Sequence, residues 1–451
     1  MVTRGIRVRT HRTDQCSTYP QWAFGGIGWA GQIIPWTANP GDGYGTVIDE
    51  AWSYLLHNVP IDPDNGKPAY FSHSYLNPDT GRPAGWPHNP AGLYSMLTES
   101  ALKYYAYSGN NAPVNLVKDL ATWQLRNGLS RPTDNWPNVP YSSGDSGSVV
   151  YQGASYGDTT GVGDGAGFLQ PDKIGAMGFA WAQLYEFDGT TTYRDAAIAA
   201  ADALVSHVRI GNASQSPWPF RVNAATGAIR EQYTANVIDP IQLFDALIRL
   251  DVGDVAAYKA ARQTAWNWLM TYPMQNNTWS NYFEDVPVQS DLSNSNQLIP
   301  MMTARYLLQH PESDANWRSH VQGLIAWVET NFGAVDNGAT IIKEQNAFAY
   351  PMGSHTSRYG SVNALLAQST GDEAAKAKAY YCRAPPWMRM LASLLVRMFG
   401  DGEGPVPWFG AGPWWCCWRR GDRRGAMGYS VVTSVTAARA ADSSTIVLFA
   451  A

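Results

Sequence analysis

The sequence predicts an all-α fold, an (α/α)6 barrel in which helical hairpins form a toroid, with long loops on one face and a short irregular or β tail. Three observations predict it. Apolar residues recur at helical spacing in paired runs. The two runs of a pair are joined by a short polar turn, which forces the helices antiparallel. The first helix of each pair begins near residues 91, 172, 237, 296 and 358, a spacing of about 60 except where a long loop is inserted.

Residues 1–42, which include WAFGGIGWAGQIIPW, carry short extended stretches without a helical period and read as a lead-in packed on the main body. A helix is expected over 45–57, with Val47, Ala51, Tyr54 and Leu55 on one side. A loop rich in turn dipeptides covers 58–90. The hairpin AGLYSMLTESALKYYAYSGN and APVNLVKDLATWQLRNG follows, then a Gly/Ser/Asp-rich loop over 128–170, long enough to be functional or disordered.

Residues 171–208 form the clearest pair. Ile174, Met177, Gly178, Trp181, Ala182 and Tyr185 mark one face of its first helix, and Tyr193, Ala197, Ala200, Ala201 and Leu204 mark the second. VIDPIQLFDALIRL opens a third pair, NQLIPMMTARYLLQH a fourth and RYGSVNALLAQSTGDEAAKAKAY a fifth. Every long connection lies on the same side of its pair, so ring closure gathers the long loops on one face. The helix at 45–57 is left to complete a sixth pair. The expected organisation is therefore a lead-in at 1–42, a barrel at 43–400 and an anomalous tail at 401–451.

The turn segments LYEFDGTTTYRDAA, KYYAYSGN and LLAQSTGDEAA resemble the aromatic–Thr/Ser/Asp–Gly–polar turns that link helices in the six-hairpin glycosidase superfamily. The resemblance spans about residues 45–380 and implies the toroidal fold and carbohydrate chemistry. That superfamily holds glycoside hydrolases and, in related toroids, polysaccharide lyases and sugar epimerases. It carries over no catalytic residue by motif, and fold alone does not choose among these reactions.

Composition points the same way. Charged residues make up 15% of the chain, against about 25% in an average domain. The 19 Trp and 24 Tyr offer flat faces that stack on sugar rings, so the expected partner is a carbohydrate. A net charge of −5 argues against nucleic-acid binding. No apolar run reaches the roughly 18 residues of a membrane span. The four Cys show no CxxC spacing, so neither a metal nor another cofactor is expected. No apolar core follows the basic start, so no signal peptide is visible, and a secreted or periplasmic setting stays open.

Glycoside hydrolysis, the favoured reaction, needs a proton donor and a second carboxylate. In TWSNYFEDV, Glu284 and Asp285 lie among Trp279, Tyr282 and Phe283, and aromatic surroundings raise a carboxyl's pKa toward that of a general acid. Asp164, Glu231 and Glu344 are the candidates for the partner carboxylate. Trp86, Trp218 and Trp279 would stack on sugar, and His88, Asn89, Arg221 and Asn296 would line the substrate, Asn296 having helix capping as its other reading. Asp172 and Asp239 open helices and read as caps rather than catalysts. DPDNGKP at 62–68 reads as a turn, because the twelfth position of a calcium loop would be His73.

A second reaction class suits the fifth loop. A lyase acting on a uronate-containing glycan needs His, Asn or Arg against the substrate carboxylate and Tyr or His to take the C5 proton, and His355, Arg358 and Tyr359 lie within five residues. A non-catalytic glycan-binding toroid is the third reading.

Beyond residue 380 the composition changes. The last Lys is Lys378, the last Gln Gln368, the last Asn Asn363 and the last His His355, while three of the four Cys lie further on. Either the tail is read in a shifted frame, or it is a divergent helix (PPWMRMLASLLVRMF) with a β tail. Translating the coding DNA in the other two frames decides: a shifted frame is expected to continue the hairpin pattern, and its absence from both removes that explanation.

Overall fold

A computed structural model describes residues 44–74, 87–155, 164–280, 294–336, 339–347, 349–351 and 353–381. The lead-in and the tail, with the frame question attached to it, lie outside the described residues. So does the stretch 281–293.

Helical hairpins account for most of what is described. A first helix, α1 (Tyr44–His57), precedes the pairs α2 (Pro90–Ser108) and α3 (Ala112–Asn127), α4 (Pro171–Asp188) and α5 (Thr191–His207), and α6 (Ile238–Leu250) and α7 (Val255–Thr271). A single turn, α8 (Pro273–Asn276), extends α7. The pairs α9 (Leu298–Gln309) with α10 (Trp317–Phe332) and α11 (Gly353–Thr370) with α12 (Glu373–Tyr381) complete the series.

Pro at the first turn starts α2 and α4, where a missing N–H costs nothing. Left-handed Gly109 and Gly189 end them and reverse the chain. The last inner helix starts at Gly353, five residues before its expected start near 358, because Gly, Ser and His in its first turn carry no apolar period.

The first helices of the pairs form the inner ring in the order α2, α4, α6, α9, α11, each packed on the next. Their partners lie outside them. The lone α1 packs on α3, which places it in the outer ring, and Trp52 of α1 stacks on Tyr104 of α2. The architecture is the expected (α/α)6 toroid.

Because all inner helices run the same way, their N-termini and the long loops share one end. Two small sheets within those loops carry no sequence period: β1 (Phe168–Leu169), β2 (Arg221–Asn223) and β3 (Ile229–Glu231) in one, β4 (Gly333–Asp336) and β5 (Ala339–Ile342) in the other. Both are antiparallel, and strands of two to four residues are too short to show alternation.

Helix α4 is the hub, packed on α2, α5 and α6. It is buried on nearly every side, with Ile174, Met177, Trp181 and Leu184 inaccessible to solvent. Two glycines allow this crowding. A Cβ on Gly175 would stand 2.4 Å from the Pro240 nitrogen, and one on Gly178 would stand 2.7 Å from Leu243 Cδ2 and 3.0 Å from Ala200 Cβ. At Gly175 the obstacle is backbone, which cannot turn aside. Gly175→Ala is therefore expected to destabilise the fold by about 1–3 kcal/mol through overpacking, measured as a lower denaturation midpoint in urea. An unchanged midpoint would show that α4 and α6 can separate freely.

Candidate active site

The close approach at Gly175 brings together the first turns of α4 and α6. Asp172 and Asp239 sit there, both buried. Asn236, just ahead of α6, donates from the same Nδ2 to Asp172 Oδ2 and to Asp239 Oδ2, each at 2.9 Å. Lys173 Nζ lies 3.2 Å from Asp172 Oδ2. The Lys173 stem passes Gly92 of α2, where a Cβ would stand 3.4 Å from Lys173 Cε and 3.3 Å from Asn89 Oδ1. The glycine thus leaves room for a lysine and an asparagine side by side.

Burial pushes the Asp239 carboxyl up to about 6, and the neighbouring Asp172 adds to the rise, while Lys173, Asn236 and Arg358 hold it back. A carboxyl in this range carries its proton under mildly acidic conditions and can release it near neutrality, as a general acid must.

Asp239 and Lys173 line a cavity that runs down the centre of the inner ring. Its empty space, open mouth included, is about 720 Å³, within the roughly 300–1,000 Å³ of small-molecule sites. Gln242 of α6, Arg358 of α11 and Arg305 of α9 also face it. Glu99 of α2 lies deeper, about 10 Å along the helix from Gly92. It accepts hydrogen bonds from Arg305 NH2 at 2.7 Å and from Lys103 Nζ. Despite its burial, these cations hold the Glu99 carboxyl down at about 2, and burial with Arg305 nearby pulls the Lys103 amine down to about 8.

Of the residues singled out from sequence, Arg358, His355 and Asn89 belong to this region. His355 lies in the first turn of α11, buried, and burial with Arg358 close by lowers its imidazole to about 3, so it is neutral.

Several others are scaffold. Asp164, Arg221 and Glu231 form a buried network beneath the first sheet. Arg221 grips Glu231 through Nε and NH2, both at 2.9 Å, and its NH1 lies 3.8 Å from Asp164 Oδ1. Ser143 Oγ and Gln170 Nε2 each donate to Asp164 at 2.7 Å. Burial raises the Asp164 carboxyl and Arg221 opposes the rise. Carboxylates held this way anchor the loop ahead of α4 and are not available to activate water.

Trp218 and Trp279 are buried core, with Nε1 donating to Leu204 O at 2.8 Å and to Asn277 Oδ1 at 3.3 Å, so neither is a sugar platform. Asn296 is the cap of its alternative reading, with Oδ1 accepting from the Ile299 N–H at 3.2 Å. His88 packs edge-on against Tyr94 and Tyr151, with Nε2 3.3 Å from Tyr94 O–H, and burial lowers its pKa to about 3. It braces loops rather than lining the cavity.

Tyr359 is buried and donates to Glu329 Oε1 on the outer helix α10, away from the centre, which corrects its assignment as a lyase base. Glu344 lies half-buried after β5, its backbone N–H bonded to Tyr350 O at 3.0 Å. Trp86, Tyr282, Glu284 and Asp285 lie outside the described residues. The DPDNGKP stretch is the expected turn, with Asp62 Oδ1 accepting from the Asp64 N–H at 2.9 Å.

The cap reading of Asp239 is overturned. Val237 occupies the cap position of α6, and the Asp239 carboxylate faces Asn236 and the cavity. Asp172 does accept the Lys173 N–H at 2.9 Å, but Gln170 is the cap of α4 and the other Asp172 oxygen faces Asn236 and Lys173. The available signal was register: PDKIG and IDPIQ put an aspartate at the same first-turn position of consecutive inner helices. Glu99, Lys103 and Arg305 were missed because polar residues inside a helix read as its solvent face when the centre of the ring is not known to be open.

No protein-family profile and no curated protein matches the chain. Solved structures do. A sugar epimerase from a ruminal bacterium matches at 12% identity over 76% of this chain and 86% of its own, with a TM-score of 0.51. A D-mannose isomerase matches at 10% identity over 77% and 85%, TM-score 0.54. A cellobiose 2-epimerase from Bacillus thermoamylovorans matches at 11% identity over 75% and 86%, TM-score 0.52. At such identities the likeness is one of fold, and that fold is the (α/α)6 toroid.

Proposed function

We propose that the chain is a carbohydrate-active enzyme, a glycoside hydrolase in which Asp239 donates a proton to the glycosidic oxygen. The observation that carries this reading is the Asp172–Asn236–Asp239 bridge at the loop end of an open central cavity. Asn236 fixes the Asp239 carboxyl, and the charge of Asp172 keeps the proton on it until the leaving oxygen develops negative charge. Lys173 balances the pair. The water-activating carboxylate is assigned to Glu284 or Asp285, whose aromatic loop lies between α8 and α9 in the chain. This reverses the expectation from sequence, in which that loop supplied the acid.

The epimerase or isomerase reading is favoured by a different observation. His355 is a neutral imidazole one helical turn from cavity-lining Arg358, and solved structures of this fold include a D-mannose isomerase and a cellobiose 2-epimerase. One experiment separates the readings: incubate the chain with an oligosaccharide panel in D2O, and follow reducing ends and ring deuteration by NMR. Hydrolysis yields new reducing ends without C2 deuterium. Epimerisation yields deuterium without new ends, and neither product would leave a binding toroid.

Under the hydrolase reading, Asp239→Asn is expected to lower kcat by about 10²–10⁴-fold, with Glu284→Gln or Asp285→Asn comparably damaging. Full activity in Asp239→Asn would remove the acid assignment, and full activity in both loop variants would remove theirs. Because the protonated form is the donor, kcat/KM for the wild-type chain should fall as pH rises through about 6.

The same group sets a stability trend. Its carboxyl rises from 3.8 to about 6 on folding. Between those values the unfolded chain is ionised while the folded chain keeps its proton, so stability falls as pH rises through this window and the loss is complete above it. Asp239→Asn should therefore be more stable than wild type at pH 7–8, by on the order of 1–3 kcal/mol, and no more stable below pH 3.8. Urea melts at the two pH extremes check the crossover.

A further inference from the structure

The deeper half of the cavity holds more positive charge than its carboxylates neutralise. Lys103 and Arg305 converge on one oxygen of Glu99, Oε1. Arg358, on α11 beside α9, acts electrostatically on Glu99, Lys103 and Asp239 alike. At the loop end Lys173 faces Asp172 and Asp239. Among the described residues that line the cavity, the cations Lys173, Arg305 and Arg358 thus outnumber the carboxylates Glu99 and Asp239 by three to two. When Asp239 holds its proton the imbalance is three to one, and Lys103 brings a further cation to Glu99.

The surplus is concentrated where three cations surround the single Glu99. An excess of like charge in a poorly solvated space is costly unless something compensates it.

The geometry points to an anion-binding subsite at the base of the cavity, built by Arg305 with Lys103 and Arg358, that receives a sugar carrying a carboxylate. Arg305 is the anchor. Its NH2 is engaged by Glu99, while its other N–H groups have no partner among the described residues and it lines the cavity wall. A guanidinium with an available edge matches a planar carboxylate through two parallel hydrogen bonds. The acidic sugar enters first and the bond to be broken follows at Asp239, nearer the loops.

Glu99 is the built-in competitor: it occupies in the empty cavity the charge that a substrate carboxylate meets on entry, and so sets affinity rather than catalysis. This inference rests on the proposed sugar-processing role for its substrate class, yet it is read by binding and not by turnover.

The test is calorimetric titration of the full chain at pH 7 and low salt with glucuronic acid, glucose and inorganic phosphate. Glucuronate should bind at least 10-fold tighter than glucose. Arg305→Met should weaken glucuronate at least 10-fold and leave glucose unchanged, Arg305→Lys should fall between, and Glu99→Gln should tighten glucuronate. Equal affinity for glucose and glucuronate, or tighter binding of phosphate than of glucuronate, overturns the assignment. So does unchanged glucuronate affinity in Arg305→Met. If Arg305→Met fails to fold, Glu99→Gln decides, and unchanged or weaker glucuronate affinity in it overturns the subsite. A chain that binds glucuronate as expected but cleaves no glycoside overturns only the hydrolase reading.

Discussion

The contact on which the structure depends is the passage of α4 across α6 at Gly175, where a side chain would strike the Pro240 backbone. It has two consequences. It lets the hub helix bury almost its whole surface against three neighbours, which holds the inner ring together. It also brings two first turns close enough for one asparagine amide to bridge the aspartates they carry. Packing and chemistry share one constraint: a change that loosens the helices also separates the carboxyls. The helix N-termini contribute too, since their partial positive charge eases the presence of acids in the first turn.

Much of the fold was legible in the sequence because hairpin toroids repeat. The inner helices at 91, 172, 237 and 296 start within two residues of their expected positions, since Pro, Gly and apolar spacing all act locally. What repetition does not encode was lost. The start of α11 is polar, and the strands among the loops are too short for a period.

The site was legible only in part. Loop residues were favoured because loops carry function in many enzymes, yet Trp218, Trp279, Asn296 and His88 spend their polar groups on holding loops in place. The cavity is lined instead by helix residues such as Glu99, Arg305 and Asp239, whose sequence spacing looks like an ordinary amphipathic pattern. A ring of helices has two polar faces, one toward solvent and one toward its own centre, and periodicity alone does not distinguish them. Arg358 was found because His355 and Tyr359 drew attention to its neighbourhood, but the helix turns Tyr359 outward to Glu329 while Arg358 faces in.

The buried carboxylates show why burial by itself does not mark a catalyst. Glu231 and Asp164 are as inaccessible as Asp239. Glu231 is gripped by two guanidinium N–H groups, and Asp164 is held by Ser143, Gln170 and the charge of Arg221. Moving a proton on or off either one would break a satisfied network, a cost of several kcal/mol in a buried setting. Asp239 has a weaker arrangement: one amide donor, a lysine shared with Asp172, and a neighbouring acid that opposes its ionisation. Its proton supplies the compensation that Arg221 supplies elsewhere. A proton is the one counter-charge that can leave, so under the proposed hydrolysis the least satisfied of these acids is the donor, and it is the one that faces the cavity.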